Sequence, residues 1–322
     1  MAAAVIFPDG SRWVGATGAA DIDSRRAVTP DTPFVVGSIT KTFVTALTMQ
    51  LAEEGLIDLD APLARWLPDY PRAAEITPRQ LLNHTSGVFN YFEHPRYNAI
   101  VFGAPEESWT PEEILSRFGR AGYFEPGQGF HYSNTGFILL GLVIEEVTGN
   151  TLGEELRSRF FDPLGMGETY FQGDGPPPPD SAHGHLRRQS GHREISDGTD
   201  YRPTTSAATV AWAAGGVVAS ADDLATWGNE LYGGDVLAPE SLAQVIDVDA
   251  TPQTSATYGL GTRTNVFQGS RAFGHTGSLR GFMAAMWHLP AEDVTVVVLT
   301  NMGRFDPNPI ADRLFSIALT SP

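Results

Sequence analysis

The sequence predicts an α/β (α+β) fold: an antiparallel sheet flanked by helices, with a mainly helical domain inserted between the two segments that build the sheet. Three observations carry that expectation. Met1-Ala2-Ala3-Ala4-Val5-Ile6-Phe7 is an apolar run leading into Asp9-Gly10, a dipeptide suited to a tight hairpin turn. Near the other end, Gly274-His275-Thr276-Gly277-Ser278, Phe282 to Trp287 and Val294 to Leu299 read as three antiparallel strands, the last two joined by a turn at Pro290 to Asp293. Between these ends helix signals dominate. Residues 1–59 and 206–322 are therefore expected to form the sheet domain and 60–205 the helical insertion, with a groove between them.

Each element has a local cause. Pro33 to Gly37 reads as an extended lead-in; from Ser38 to Glu54, Phe43, Leu47 and Leu51 recur at four-residue spacing until Gly55 stops the helix. Thr77-Pro78 opens a short helix at Arg79 to Asn83, and Thr110-Pro111-Glu112-Glu113 is a capping box for another. Pro126-Gly127 stiffens a loop that ends in Tyr132-Ser133-Asn134, after which Phe137, Leu140, Val143 and Val147 mark an apolar helix running to Gly149. Residues 173–206, with Pro176 to Pro179 consecutive, form the least structured segment. Their histidines, His183, His185 and His192, lack cysteine partners or helical spacing and read as a solvated loop, so neither a metal nor another cofactor is expected. Ser220 with Asp223 starts a helix through Leu224 and Trp227.

Composition narrows the function. The 322 residues are 42% hydrophobic, enough for a sizeable core, and no run approaches the ~18 apolar residues of a membrane span. A net charge of 21 − 38 = −17 argues against nucleic acid or an anionic membrane as partner. With no cysteine, disulfides, thiol catalysis and thiolate metal sites are excluded. The N-terminus has neither a cationic start nor a signal-length apolar core, and the compartment is left open.

The chemistry is announced by one lysine. Of 21 basic side chains only Lys41 is not arginine, and it lies three residues after Ser38 in Ser38-Ile39-Thr40-Lys41. Arginine cannot give up its proton, so a chain that otherwise avoids lysine has a use here for an amine that can. On a helix, residues three apart share a face, and both the helix N-terminus and desolvation disfavour the ammonium form. Ser38 is thus a candidate nucleophile beside a candidate base. Tyr132, held at a loop-to-helix junction with Asn134, and the glycine-flanked His275, whose strand can aim a backbone N–H into the same space, are the second and third elements.

Together, Ser38-x-x-Lys41, Tyr132-x-Asn134 and His275-Thr276-Gly277, 94 and 143 residues apart (132 − 38 and 275 − 132), resemble the active-site set of the serine penicillin-recognising hydrolases. The match is to the branch of class C β-lactamases and soluble D-Ala-D-Ala carboxypeptidases. Leu81-Leu82-Asn83-His84-Thr85-Ser86-Gly87 and Gly215-Gly216-Val217-Val218-Ala219-Ser220 are also similar to this family, and the likeness runs from about residue 10 to 318. Such enzymes normally carry a helix before the first strand; its absence suggests a truncated, processed or mis-started chain, or a sheet face left less covered.

The resemblance implies a β-lactamase/transpeptidase-like fold and an acyl-enzyme formed on Ser38, with Lys41 and Tyr132 as a coupled acid–base pair in which the base is assigned to neither alone. It implies an oxyanion hole of the Ser38 and Ser278 N–H groups, Asn134 on the acyl amide, and Thr276 and Gly277 along the substrate. Arg263, in Tyr258-Gly259-Leu260-Gly261-Thr262-Arg263, is similar to an arginine that takes a substrate carboxylate in actinomycete carboxypeptidases, and Trp212 to an aromatic lining their groove. A histidine at 275 is only partly charged near neutral pH, which would add a mild acid preference. The implied partners are small molecules or peptides: D-Ala-D-Ala peptides first, with β-lactams, esters or D-amino-acid amides on the same machinery, or a penicillin sensor that is acylated without turnover.

Overall fold

The computed structural model describes residues 1–174, 178–188, 191–194, 205–249 and 257–320. Six strands form its main sheet: β1 (Ala2–Ile6), β2 (Arg12–Ala16), β3 (Arg263–Phe267), β4 (Ser270–Leu279), β5 (Phe282–Leu289) and β6 (Val294–Thr300). Their spatial order is β3-β4-β5-β6-β1-β2, antiparallel at every step, so the two chain ends meet where Ala2 pairs Leu299. The expected hairpin is present, with Ile6 opposite Arg12 around the Asp9-Gly10 turn.

Alternation along the strands sorts side chains to two cores. Ala2, Ala4, Ile6, Met286, Val297 and Leu299 join the larger one; Ala3, Val5, Trp287, Val294, Val296 and Val298 join the smaller. The smaller core is closed by the C-terminal helix Asn308–Ala318, through Ala311, Phe315 and Ala318.

On the opposite face, α1 (Thr40–Glu53) follows a tight 3₁₀ turn, Gly37–Ile39. Four-residue spacing predicts one apolar face, but α1 is buried nearly all round. Phe43 stacks on Trp227 of the helix Ala221–Gly233 with ring centroids 4.0 Å apart, and two of the buried threonines satisfy their hydroxyls on the helix backbone, Thr42 on Ile39 O and Thr48 on Val44 O, while Thr45 Oγ1 is buried without a partner. A central helix of this kind provides a rigid floor for its first turn.

Helices expected from their caps are found. Thr77 and Thr110 close capping boxes with Gln80 and Glu113, and α2 (Asn134–Thr148) ends at Gly149, whose φ of 73° suits glycine. The described part of 173–206 differs from expectation. Within it, His185–Arg188 pairs with Gly191–Glu194 and, in parallel, with Met302–Gly303, in a small sheet separate from the main one. His185 is buried rather than solvated, while Pro176, Pro177 and the side chain of His192 lie outside the described residues. Among the described residues no single helix is long and apolar enough to cross a membrane.

Candidate active site

Ser38 sits half-buried in the 3₁₀ turn, where the backbone is pressed against β4. Gly37 has φ 54°, and a methyl on it would lie 2.8 Å from Ser278 N. A methyl on Gly277 would meet Val36 O at 1.8 Å and Ser38 N at 3.4 Å. The turn and the strand therefore touch backbone to backbone, bringing the amides of residues 38 and 278 to one place. The glycines beside His275 are explained by this packing: the chains they admit are the protein's own, Met286 at Gly274 and Val36 at Gly277.

Lys41 is fully buried, with Nζ 3.2 Å from Ser38 Oγ, 2.8 Å from Asn134 Oδ1 and 2.7 Å from Ala214 O. Burial, and then the charge of Arg263, hold its pKa well below the usual lysine value. A neutral amine has two N–H donors and one lone pair. Asn134 Oδ1 and Ala214 O can only accept, so they take both donors and leave the lone pair facing the Ser38 hydroxyl.

Tyr132 reaches in from the loop before α2, its ring centroid 5.1 Å from Lys41 Nζ. Its hydroxyl is buried without a hydrogen bond of ordinary length. Burial pushes the phenol up to about 12, opposed by the Ser38 hydroxyl and the charge of Arg263. Asn134 is itself held: its backbone N and Nδ2 both donate to Asn90 Oδ1.

His275 is also buried. Its Nδ1 donates to Thr276 O at 2.6 Å, and its Nε2 is hydrogen-bonded to Tyr258 OH at 3.2 Å, a hydroxyl that can give or take that bond. Burial, then Arg263 and Lys41, lower its pKa well below 6.5. The partial charge expected from sequence is therefore corrected, and with it the acid preference: a histidine buried beside the Arg263 guanidinium does not ionise near neutrality. Arg263 lies over the rings of Tyr132 and Tyr258, 5.4 Å from each centroid, with Nε buried and unpartnered. Among the described residues no carboxylate lies within ion-pair distance of it.

Thus Ser38, Lys41, Tyr132, Asn134, His275, Thr276, Gly277, Ser278 and Arg263 converge, but Trp212 does not line the groove with them. Its side chain is packed into the core, where methyls on Gly141 and Gly173 would meet the indole at 2.6 and 3.1 Å. The physical reason is the backbone: a kink with φ 32° at Trp212 ends the regular helix just before Ala214, whose carbonyl faces Lys41. Sequence reasoning passed over Ala214, Tyr258, Asn90 and His84. His84 and Tyr258 carried a signal, as residues inside the Leu81 to Gly87 and Tyr258 to Arg263 stretches already noted as similar to the family.

The family profile described as Beta-lactamase matches residues 1–318. A D-aminopeptidase of Brucella anthropi is 30% identical over 319 residues, covering 95% of this chain and 56% of that protein. Penicillin-binding protein 4* of Bacillus subtilis is 33% identical over 161 residues, 47% of this chain and 33% of that one, so the chain spans about half the length of these relatives or less. The crystal structure of a D-stereospecific amidohydrolase from Streptomyces superposes with a TM-score of 0.83 at 28% identity, covering 98% of this chain and 93% of the other.

Proposed function

The chain belongs to the β-lactamase family, and from that premise we propose that it is a serine hydrolase working through an acyl-enzyme on Ser38. The observation that carries the reading is the buried Lys41, whose two donors are taken by Asn134 and Ala214 while its third position faces Ser38 Oγ at 3.2 Å. Lys41 accepts the hydroxyl proton as Ser38 Oγ bonds to the substrate carbonyl carbon. The oxygen that becomes negative lies between the N–H groups of residues 38 and 278. Tyr132, protonated because its pKa is raised, gives its proton to the leaving nitrogen or oxygen as that bond breaks, and recovers one from the Lys41 ammonium. Water then repeats the sequence on the ester and frees Ser38.

For substrate we propose an acylated D-amino acid or peptide with a free carboxylate, as in D-Ala-D-Ala. The support is Arg263: a half-buried cation beside Tyr132 with no ion-pair partner among the described residues, in a protein of net charge −17. With His275 neutral, Arg263 would be the cation that holds that carboxylate among the described residues. Arg263→Gln should then lower kcat/KM for an acyl-D-Ala-D-Ala peptide by roughly ten- to a hundredfold, the value of a charge-assisted hydrogen bond, and leave p-nitrophenyl acetate little changed. Equal losses on both substrates would make Arg263 structural.

A second reading, cleavage of D-amino-acid amides or peptides with a free amine, is favoured by the names of the relatives and by Glu93. This carboxylate is reached from Lys41 through Asn134 and Asn90, and is steadied by Tyr123 and His131. A panel of acyl-D-Ala-D-Ala, D-alanine amide, a cephalosporin and a short-chain ester decides. Preference for the amide over the acyl peptide would overturn the carboxylate reading. A protein that keeps a penicillin adduct for hours by intact mass, with no turnover on the panel, would instead be a sensor.

The oxyanion geometry has its own test. Gly277→Ala should slow acylation about a hundredfold, because a methyl 1.8 Å from Val36 O must part the turn from the strand, and about 1 Å of misplacement has that cost. Unchanged acylation by p-nitrophenyl acetate would remove residue 278 from the proposed hole.

A further inference from the structure

We infer that His84 is a positioning residue for Tyr132, gripping the loop on both sides of the phenol and packing its own ring beneath it. The two neighbours of Tyr132 in sequence both donate to His84: His131 N to the backbone oxygen at 3.0 Å, and Ser133 N to the imidazole Nδ1 at 3.2 Å. Between those anchors the His84 and Tyr132 rings stand 4.2 Å apart. On its other side His84 packs on Tyr258 at 4.7 Å, the residue whose hydroxyl is hydrogen-bonded to His275. One side chain therefore ties the Tyr132 loop to the residue that braces the strand side of the site.

Three further features fit a role beyond filling space. Accepting from Ser133 N requires an unprotonated Nδ1, so the ring is neutral with its hydrogen on Nε2, and that Nε2 is buried without a partner. Burial and the charge of Lys41 also lower the His84 pKa well below 6.5. The residue takes φ 61°, a left-handed conformation uncommon for residues other than glycine, asparagine and aspartate, and such conformations gather at functional sites. In the helical region, only a residue that tolerates that backbone and also offers an acceptor at the Nδ1 position can hold Ser133 here.

The inference rests on Tyr132 acting in the acid–base pair, and the test separates the two. Single-turnover acylation by p-nitrophenyl acetate is measured for His84→Gly, His84→Asn, Tyr132→Phe, the His84→Gly/Tyr132→Phe double variant, and Ser38→Ala as control. Glycine accepts the left-handed φ but has neither acceptor nor ring, so acylation should slow about ten- to a hundredfold with an unchanged apparent Kd. Asparagine tolerates the same φ and offers Oδ1 near the Nδ1 position, so it should restore most of the rate. In the Tyr132→Phe background, His84→Gly should have little further effect, since what it positions is gone. Should His84→Gly fail to fold, His84→Gln, near His in volume but with its acceptor one bond further out, takes its place with the same expected loss. A glycine or glutamine variant as fast as wild type overturns the inference, as does an equal fold-loss with and without the Tyr132 hydroxyl. If Tyr132→Phe does not slow acylation, the acid–base reading falls and this inference with it. If Tyr132→Phe slows it and the His84 variants do not, only this inference falls.

Discussion

Ser38→Ala is expected to abolish turnover of peptide, ester and β-lactam alike, by a factor on the order of a million in kcat, while the fold stands. The size follows from what the hydroxyl does: without Oγ no acyl-enzyme can form, and the remaining hole and binding groove act only on a water attacking unaided. The stability forecast follows from what the hydroxyl touches. Ser38 is half-buried and its side chain meets Lys41 Nζ at 3.2 Å, whereas Lys41 keeps Asn134 and Ala214 after the change. The turn itself is shaped by Gly37 and Gly277, not by the serine. Thermal unfolding should therefore move by no more than a surface substitution does, and penicillin should leave no adduct on the intact mass. A loss of turnover below about tenfold would mean that another residue is the nucleophile.

What the sequence reveals and conceals here divides along the range of the interactions. Ser38 and Lys41 lie one helical turn apart, so their meeting is local and could be read from spacing. Caps such as Thr77 with Gln80 are local too. The sheet was legible because its strands are short apolar runs bounded by turn residues, although the pairing of Ala2 with Leu299 across the whole chain is not written in either segment. Ala214 is 173 residues from Lys41, and no pattern announces that a backbone carbonyl will face the amine. His275 shows the same limit from another side: its residue type suggested a partial charge, but burial and then the charge of Arg263 hold its pKa well below the usual histidine value. Trp212 misled because an aromatic at a matching position says nothing of its backbone, and φ 32° goes with an indole packed on Gly141.

Lys41→Arg is expected to cost at least ~100-fold in kcat/KM, the low end of a general acid–base contribution, and to lower stability as well. Both effects come from the same cavity. Arginine keeps a positive charge and cannot lose it, so the lone pair that faces Ser38 Oγ disappears. The guanidinium must also remain ionised where Lys41 is fully buried, beside Arg263 and with Asn134 Oδ1 and Ala214 O as neutral acceptors. No carboxylate among the described residues is within ion-pair reach to compensate it, and a buried unpaired charge is strongly unfavourable. The two consequences are told apart by pH. In the wild type the base is the neutral amine, whose pKa is depressed, so activity should be full above that lowered value and fall as pH drops through it. The introduced guanidinium has no such proton to gain, so the residual activity of the variant should lack that acid limb even after correction for the fraction folded. If Lys41 were a structural cation, arginine would serve as it does at the other 20 basic positions (21 − 1), and near wild-type turnover with the acid limb intact would refute the role of base.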